Sequence, residues 1–357
     1  MACPKVYVGE ILPDVPYIPL LYPNLGLQTY GNYLYYDVFK HLSKPEHRVI
    51  DLVEDVKQAD LILVPHSVEK LRNRNLYLSK YVEQANDAAK PLIVFAYGDS
   101  AEAVQMPAQA VFRTSVYRAS KEEREIVMPP YTEDLGTDKG FIIRRKTNTK
   151  ATVGFCGWAG FPTAKQSIKA HVKDVAMRCV DMVDSTRVAG ARCNGVLLRK
   201  KCLNCLQECN GLTPNFVVRN TFSRHMGTIE LDPEVARKEY VSNMQQSDLA
   251  LAVRGDGNFS VRFFEAISLG RIPLHVDSDD VFPLEDVIPY RDFVLSVPVC
   301  EVSGLCNRVQ AYWNGLTPQQ FKEQQLQARG AFVDYLRIDR FFSYMFQSAD
   351  SPIRKLI

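Results

Sequence analysis

Two arginines, Arg254 and Arg262, flank a Gly-Asp-Gly-Asn turn, Gly255 to Asn258, with Ser260 between them and Glu265 three residues beyond the second. A guanidinium presents planar, fixed donors that match phosphate oxygens in pairs. Backbone N–H groups of a glycine-rich turn that opens a helix add neutral donors aimed at the same anion. A carboxylate one helical turn on can accept from ribose hydroxyls. Together these groups suit a nucleoside diphosphate. A plainer account competes for each. Arg262 and Glu265 are three apart and share a helix face, which permits a structural ion pair worth a few tenths of a kcal/mol. Asp256 equally suits a turn.

The flanking elements must hold these residues still. Leu249 to Val253 is an apolar strand. Phe263, Phe264, Ala266, Ile267 and Leu269 give the following helix a buried face, and Gly270-Arg271 ends it. Ile272 to Val276 is the next strand, running into Asp277 to Asp280. Strand, polar loop, helix, strand is a unit of a parallel α/β sheet.

This stretch closely resembles the exostosin-like glycosyltransferases of family 47. Their pattern of apolar strand, R-G-x-G-N-x-S-x-R, aromatic, Glu, G-x-I-P and Phe-Pro stands here as Arg254-Gly255, Gly257-Asn258, Ser260, Arg262, Glu265, Gly270, Ile272-Pro273 and Phe282-Pro283. The match runs from about residue 240 to 297, with weaker echoes at 58–67 and 151–160. The resemblance implies a GT-B fold: two doubly wound Rossmann-like domains facing a central cleft, with a C-terminal helix crossing back. It implies inverting transfer of a sugar, usually from a UDP-sugar, to a hydroxyl of an oligosaccharide or polysaccharide acceptor. By matching, Arg254 and Arg262 neutralise the diphosphate. The amides from Gly255 to Ser260, those of Gly257 and Asn258 included, and the Ser260 hydroxyl bind the same oxygens, and Glu265 accepts from the ribose or the sugar. The GT-B plan commonly works without a metal, so no cofactor is expected.

Inversion also needs a general base. The first half of the chain alternates strands and helices, and ligands in such sheets sit beyond the carboxyl ends of the strands. His66 and Ser67 follow the apolar run Leu61–Val64, closed by Pro65; Gly98, Asp99 and Ser100 follow Leu92–Tyr97. Asp99 is the first choice for the base and His66 the second, with Asp277 to Asp280 as outsiders. Asp99 or Ser100 alone equally suits a helix cap. A third strand, Ala151 to Cys156, runs into Gly157-Trp158-Ala159-Gly160 and then a helix over 163–182. Gly157 and Trp158 mark either a cleft loop where backbone approaches phosphate or merely a tight turn, and the residues do not decide between the two.

A chain of 357 residues predicts two domains: residues 1–145 on the acceptor side, residues 146–320 binding the donor, and a C-terminal helix over 321–357 packing back on the first. The aromatic cluster Phe341, Phe342, Tyr344 and Phe346 fits that return, or an oligomer interface. Pro-, Lys- and Thr-rich residues 128–149 read as loop and linker. A net charge of +2 leaves no basic footprint for nucleic acid. No apolar run is long enough to span a membrane. Met1 opens almost directly on a strand, so a soluble cytoplasmic protein is expected, a truncated secretory-pathway protein being the alternative.

The nine cysteines are expected as thiols. Cys193, Cys202, Cys205 and Cys209 have the number and spacing for a metal, but Leu203 and Leu206 make a short amphipathic helix the preferred account. Three other functions compete: a catalytically silent nucleotide-sugar or glycan binder of the same fold, a different nucleotide enzyme, and a GT-B transferase of another family. The absence of G-x-G-x-x-G after the first strand, and of a P-loop, argues against a dehydrogenase or kinase.

Overall fold

The computed structural model describes residues 2–28, 36–137, 140–147, 149–183, 192–221 and 232–357. The chain divides into two compact units. The first comprises Met1–Val116, Lys121–Glu133 and Asp334–Ile357; the second comprises Tyr117–Ser120 and Asp134–Val333.

The first unit holds a six-stranded, wholly parallel sheet: β1 Lys5–Tyr7, β2 Asp51–Leu52, β3 Leu61–Ser67, β4 Leu92–Ala96, β5 Ala110–Arg113 and β6 Glu125–Val127, in the order β2-β1-β3-β4-β5-β6. Runs such as Leu61–Val64 and Leu92–Ala96 are apolar on both faces because both faces of a parallel sheet are covered. Short helices α1 (Tyr22–Leu25) and α2 (Tyr36–Leu42) follow β1, and α3 (Asn75–Ala88) joins β3 to β4. In α3, Tyr77 and Tyr81 face inward at a four-residue spacing, and their hydroxyls donate to the carbonyls of Glu10 (2.5 Å) and Val8 (2.6 Å).

The second unit holds a five-stranded parallel sheet: β7 Ala151–Trp158, β8 Leu212–Arg219, β9 Leu249–Ala252, β10 Ile272–Asp277 and β11 Leu295–Pro298, ordered β11-β10-β9-β7-β8. Its helices are α4 Ala164–Val183, α5 Gly195–Gln207, α6 Pro233–Gln245, α7 Val261–Ser268, α8 Leu305–Gly315 and α9 Pro318–Ala331. From β7 the chain runs outward to β8; from β9 it runs the other way to β10. The carboxyl ends of β7 and β9 therefore flank a topological switch point, where ligands of doubly wound sheets bind.

Several sequence expectations are adjusted. β3 does not stop at Pro65 but continues to Ser67; the pairing with β4 shifts register between Leu63 and Ser67, which accommodates a residue lacking an N–H. The expected C-terminal helix over 321–357 is broken. After α9 comes a π turn, Phe332–Leu336, then Arg337 in extended conformation, then α10, Ile338–Gln347. The return to the first unit begins at Asp334, inside the expected third segment, and the first unit extends only to Glu133, short of 145. Within that unit α10 buries Phe341, Phe342 and Phe346 against Phe95 and Phe112, with ring centroids 6.1–6.2 Å apart. Each such side chain contributes roughly 1.5–3 kcal/mol of hydrophobic stabilisation.

The thiol expectation fails at Cys209 and Cys306, which form a disulfide between the end of α5 and the start of α8. Cys209 is then no ligand, and the four-cysteine metal set is lost. Cys202 and Leu203 pack in the core on α5, and burial pushes the Cys202 thiol up to about 12. That is the pattern of a small apolar residue. Among the described residues no helix is long and apolar enough to cross a membrane.

Candidate functional site

The switch point of the second sheet is lined by guanidinium groups. Arg262, on the first turn of α7, donates through Nη2 to the carbonyl of Cys156 at 2.6 Å. Its plane lies over the Phe155 ring at 4.3 Å and near the Tyr240 ring at 5.6 Å. Arg199, on α5, donates to the carbonyl of Trp158 (3.2 Å) and, at the long limit, to that of Val253 (3.5 Å). One arginine thus hooks the end of β7, and the other bridges β7 to the end of β9.

Neither Arg199 nor Arg262 pairs with a carboxylate among the described residues, and the Nε of each is buried without an acceptor. Burial first, then the neighbouring charge of Arg262, pushes the Arg199 pKa down to about 10. It stays charged at neutral pH. Asp256 opposes the shift of Arg199 by its charge but makes no ion pair with it. Two neighbouring, partly buried cations without a paired carboxylate among the described residues are costly to the free protein and favourable to a bound anion.

Gly157 explains how Arg262 comes so close. Its φ is +154°, and a Cβ there would stand 2.5 Å from Arg262 Nη2. Gly157, the penultimate residue of β7 rather than part of a turn after it, therefore makes room for a cation, and the Cys156 carbonyl beside it accepts from that cation. This gives Gly157 and Trp158 a part in the site through the arginines they hold.

Arg254 is placed differently. Its Nη1 donates to Asn258 Oδ1 (3.0 Å) and to the Tyr117 hydroxyl (2.8 Å), and Nη2 donates to the Asp256 carbonyl (3.2 Å). Its guanidinium lies 5.5 Å from the Tyr117 ring, which Arg192 also approaches at 6.0 Å. Asn258 Oδ1 also accepts from the Ser278 hydroxyl at 2.8 Å, tying the loop to the end of β10. The Gly255 amide closes the loop onto the Phe259 carbonyl at 3.2 Å and so is not a spare donor, while Gly257 is buried. Gly195 packs its Cα face against the Arg254 and Gly255 carbonyls, where a Cβ would collide. Ser260 sits at the N-cap of α7 but makes no side-chain cap. The first-turn amides of α7 therefore lack the side-chain acceptor that usually closes a helix start.

Glu265 is 2% exposed and accepts a hydrogen bond from the Tyr240 hydroxyl, the ring of which also meets Arg262. The site therefore gathers Arg262, Arg199 and Arg254 around the sheet end, with Glu265 reaching it through Tyr240. Sequence reading missed Arg199, Arg192 and Tyr117. The one available signal was Arg199 on a helix opened by Asn194-Gly195.

At the first sheet, His66 is fully buried with both ring nitrogens engaged. Nδ1 donates to the Pro16 carbonyl at 3.1 Å, and Nε2 accepts from the Leu12 amide at 2.9 Å. Burial lowers its pKa. A neutral imidazole with no free lone pair cannot take a substrate proton, so the expected base role for His66 is withdrawn; it clamps the loop after β1. Asp99 is exposed just beyond β4. Glu69 lies beside it, its carboxylate against Gly98. Burial, and in smaller part the Asp99 charge, raises the Glu69 pKa. Sequence reading had passed over Glu69.

The acidic run after β10 is structural. Asp280 is buried and places both oxygens 3.1 Å from His275 Nε2, while His275 Nδ1 meets the Ser296 hydroxyl at 3.0 Å. Burial opposes both charges, but their mutual attraction outweighs it: the His275 pKa is raised and that of Asp280 lowered. Asp279, at φ 64°, accepts from the Arg118 and Ala119 amides and holds residues 117–120, and thus Tyr117, in place.

Compared with protein-family models and with curated proteins, the chain matches none of either. The geometry alone must carry the function. It can bind a multiply charged anion at the β7–β9 switch point, with an aromatic and a carboxylate alongside.

Proposed function

We propose that this chain is an inverting glycosyltransferase of exostosin-like, GT-B type, which takes its sugar from a nucleotide sugar, a UDP-sugar first, and delivers it to a glycan hydroxyl. The observation that carries the reading is the pair of neighbouring guanidinium groups, Arg199 and Arg262, held by backbone carbonyls and without carboxylate partners among the described residues at the switch point of the second sheet. A diphosphate supplies the missing charge. Stabilisation of that leaving group is the main electrostatic task in displacing it. In this reading the uncapped start of α7 adds backbone donors, and Arg254 orders the loop through Asn258 and Tyr117.

The base of this proposal is Asp99, with its neighbour Glu69 as the competitor. Both are carboxylates beyond the strands of the first sheet, and the raised pKa of Glu69 moves it toward the range in which a general base works. The reaction as proposed draws only on these side chains and the two substrates.

The test is a panel of UDP- and GDP-sugars, read by thermal shift and by release of the nucleoside diphosphate. A ligand present at a hundredfold its Kd stabilises by roughly 2.7 kcal/mol. One UDP-sugar is expected to give both a shift and turnover. Binding without turnover under any acceptor favours the silent-binder alternative. No shift with any nucleotide removes the proposal.

A further inference from the structure

A second constellation lies within the first unit. His41 stands at the end of α2, and His47 ends the short 3-10 turn Pro45–His47. Their rings lie 4.4 Å apart, centroid to centroid. Asp339, in the first turn of α10, is buried between them. Its Oδ2 is 3.9 Å from His41 Nε2 and 3.6 Å from His47 Nδ1. One ligand atom from each of the three residues lies within 4.8 Å of the others.

Two features set this cluster apart from an ordinary ion pair. The imidazole-to-carboxylate distances exceed hydrogen-bonding range. In addition, the Nε2 atoms of His41 and His47 are buried without a hydrogen-bond partner among the described residues. Asp339 does not need the histidines for charge balance, because Arg337 already grips it, Nε to Oδ1 at 2.7 Å and Nη2 to Oδ2 at 2.9 Å.

We propose that His41, His47 and Asp339 form a binding site for a zinc-like divalent cation that fastens α10 to the segment carrying α2. Ligands roughly 2.0–2.1 Å from a tetrahedral zinc stand about 3.4 Å apart, so the observed separations close with small side-chain rotations. Imidazole suits zinc, copper and nickel. Calcium and magnesium are disfavoured: they need several oxygen ligands, and only one carboxylate is present. The Arg337 contacts orient the carboxylate as outer partners of metal ligands do. Arg340, 3.9 Å from Oδ2, weakens the site by its charge for any cation. Two imidazoles and one carboxylate leave a fourth position for water. The site bridges residues almost 300 apart in sequence and is independent of the sugar-transfer reading.

The experiment uses the full chain, stripped with a chelator and titrated with Zn2+ against a chromophoric competitor. The wild-type protein is expected to take one equivalent. His41→Ala and His47→Ala should each bind at least about a hundredfold more weakly, more than the loss typical of an outer partner alone. His41 has a 40% exposed side chain, so its replacement leaves folding intact and carries the test if His47→Ala does not fold. Free cysteines also attract zinc, so the zinc X-ray absorption spectrum of the wild-type complex is recorded. A nitrogen/oxygen shell with imidazole scattering is expected. No bound equivalent, a sulfur-dominated shell, or unchanged affinity in His41→Ala overturns the proposal.

Discussion

The carboxyl ends of the two parallel sheets make an instructive pair. Both carry polar residues where such sheets bind ligands. At the first sheet the buried imidazole of His66 is saturated: two backbone groups take both nitrogens. At the second sheet Arg199 and Arg262 are held by carbonyls yet form no ion pair with a carboxylate among the described residues. Position in the fold is the same; the difference is whether the protein itself completes the electrostatics. A saturated group stabilises the chain and has nothing left to offer. An uncompensated group destabilises the free chain and is ready for a ligand. The His275–Asp280 pair, buried and mutually neutralising, sits with His66 on the structural side of this divide.

Breaking each side of the contrast gives distinct outcomes. The largest effect is expected at Asp99. Asp99→Asn should lower transfer by about 10²–10⁴-fold, the usual contribution of a general base, with UDP affinity unchanged. Steady-state transfer beside a binding isotherm checks it, and a greater loss in Glu69→Gln than in Asp99→Asn moves the role to Glu69. Next comes Asp280→Asn, which leaves His275 without its buried partner and should cost roughly 3–5 kcal/mol in urea unfolding. The pH window for that pair follows from its shifts. Asp280, with its pKa lowered, contributes stability present above its unfolded pKa and lost as pH falls through the folded value. His275, with its pKa raised, contributes stability present below its unfolded value and lost as pH rises through the folded one.

The smallest effect is expected at His66. Because its pKa is lowered in the fold, the unfolded chain binds the proton more readily, and stability falls as pH drops from 7 toward and below its unfolded value. His66→Gln should cost about 1–3 kcal/mol at pH 7, through the unpaired backbone groups, and flatten that slope. A transfer rate that collapses while stability holds would put His66 back among the catalytic candidates.

What was legible in the sequence follows the same physics. Residues 249–277 announced their strand, loop, helix and strand because apolar runs and glycine breaks are local signals, and α7 and β10 formed where expected. Arg254 and Arg262 stood out because the turn lies between them. Arg199 did not, since it sits on a cysteine-rich helix more than 50 residues upstream and meets the site only through the pairing of β7 with β9. The role of His66 depends on Leu12 and Pro16, 54 and 50 residues away, and no local pattern encodes that. The Cys209–Cys306 bond and the break before α10 are likewise products of tertiary contact. The segment over 321–357 reads as one helix from its amphipathic pattern; the grip of Arg337 on Asp339 accompanies its interruption.

The most direct measurement concerns Arg199 and Arg262 together: UDP affinity by calorimetry and apo-protein stability by urea unfolding, for wild type, Arg199→Gln and Arg262→Gln. A charge-assisted hydrogen bond is worth about 1.5–3 kcal/mol, so each variant should bind UDP roughly 10–150-fold more weakly. Its stability without ligand should stay within about 1 kcal/mol of wild type or rise, because a desolvated, uncompensated charge has gone. Variants that bind UDP as the wild type does, yet unfold several kcal/mol more easily, would make these arginines structural and contradict the account.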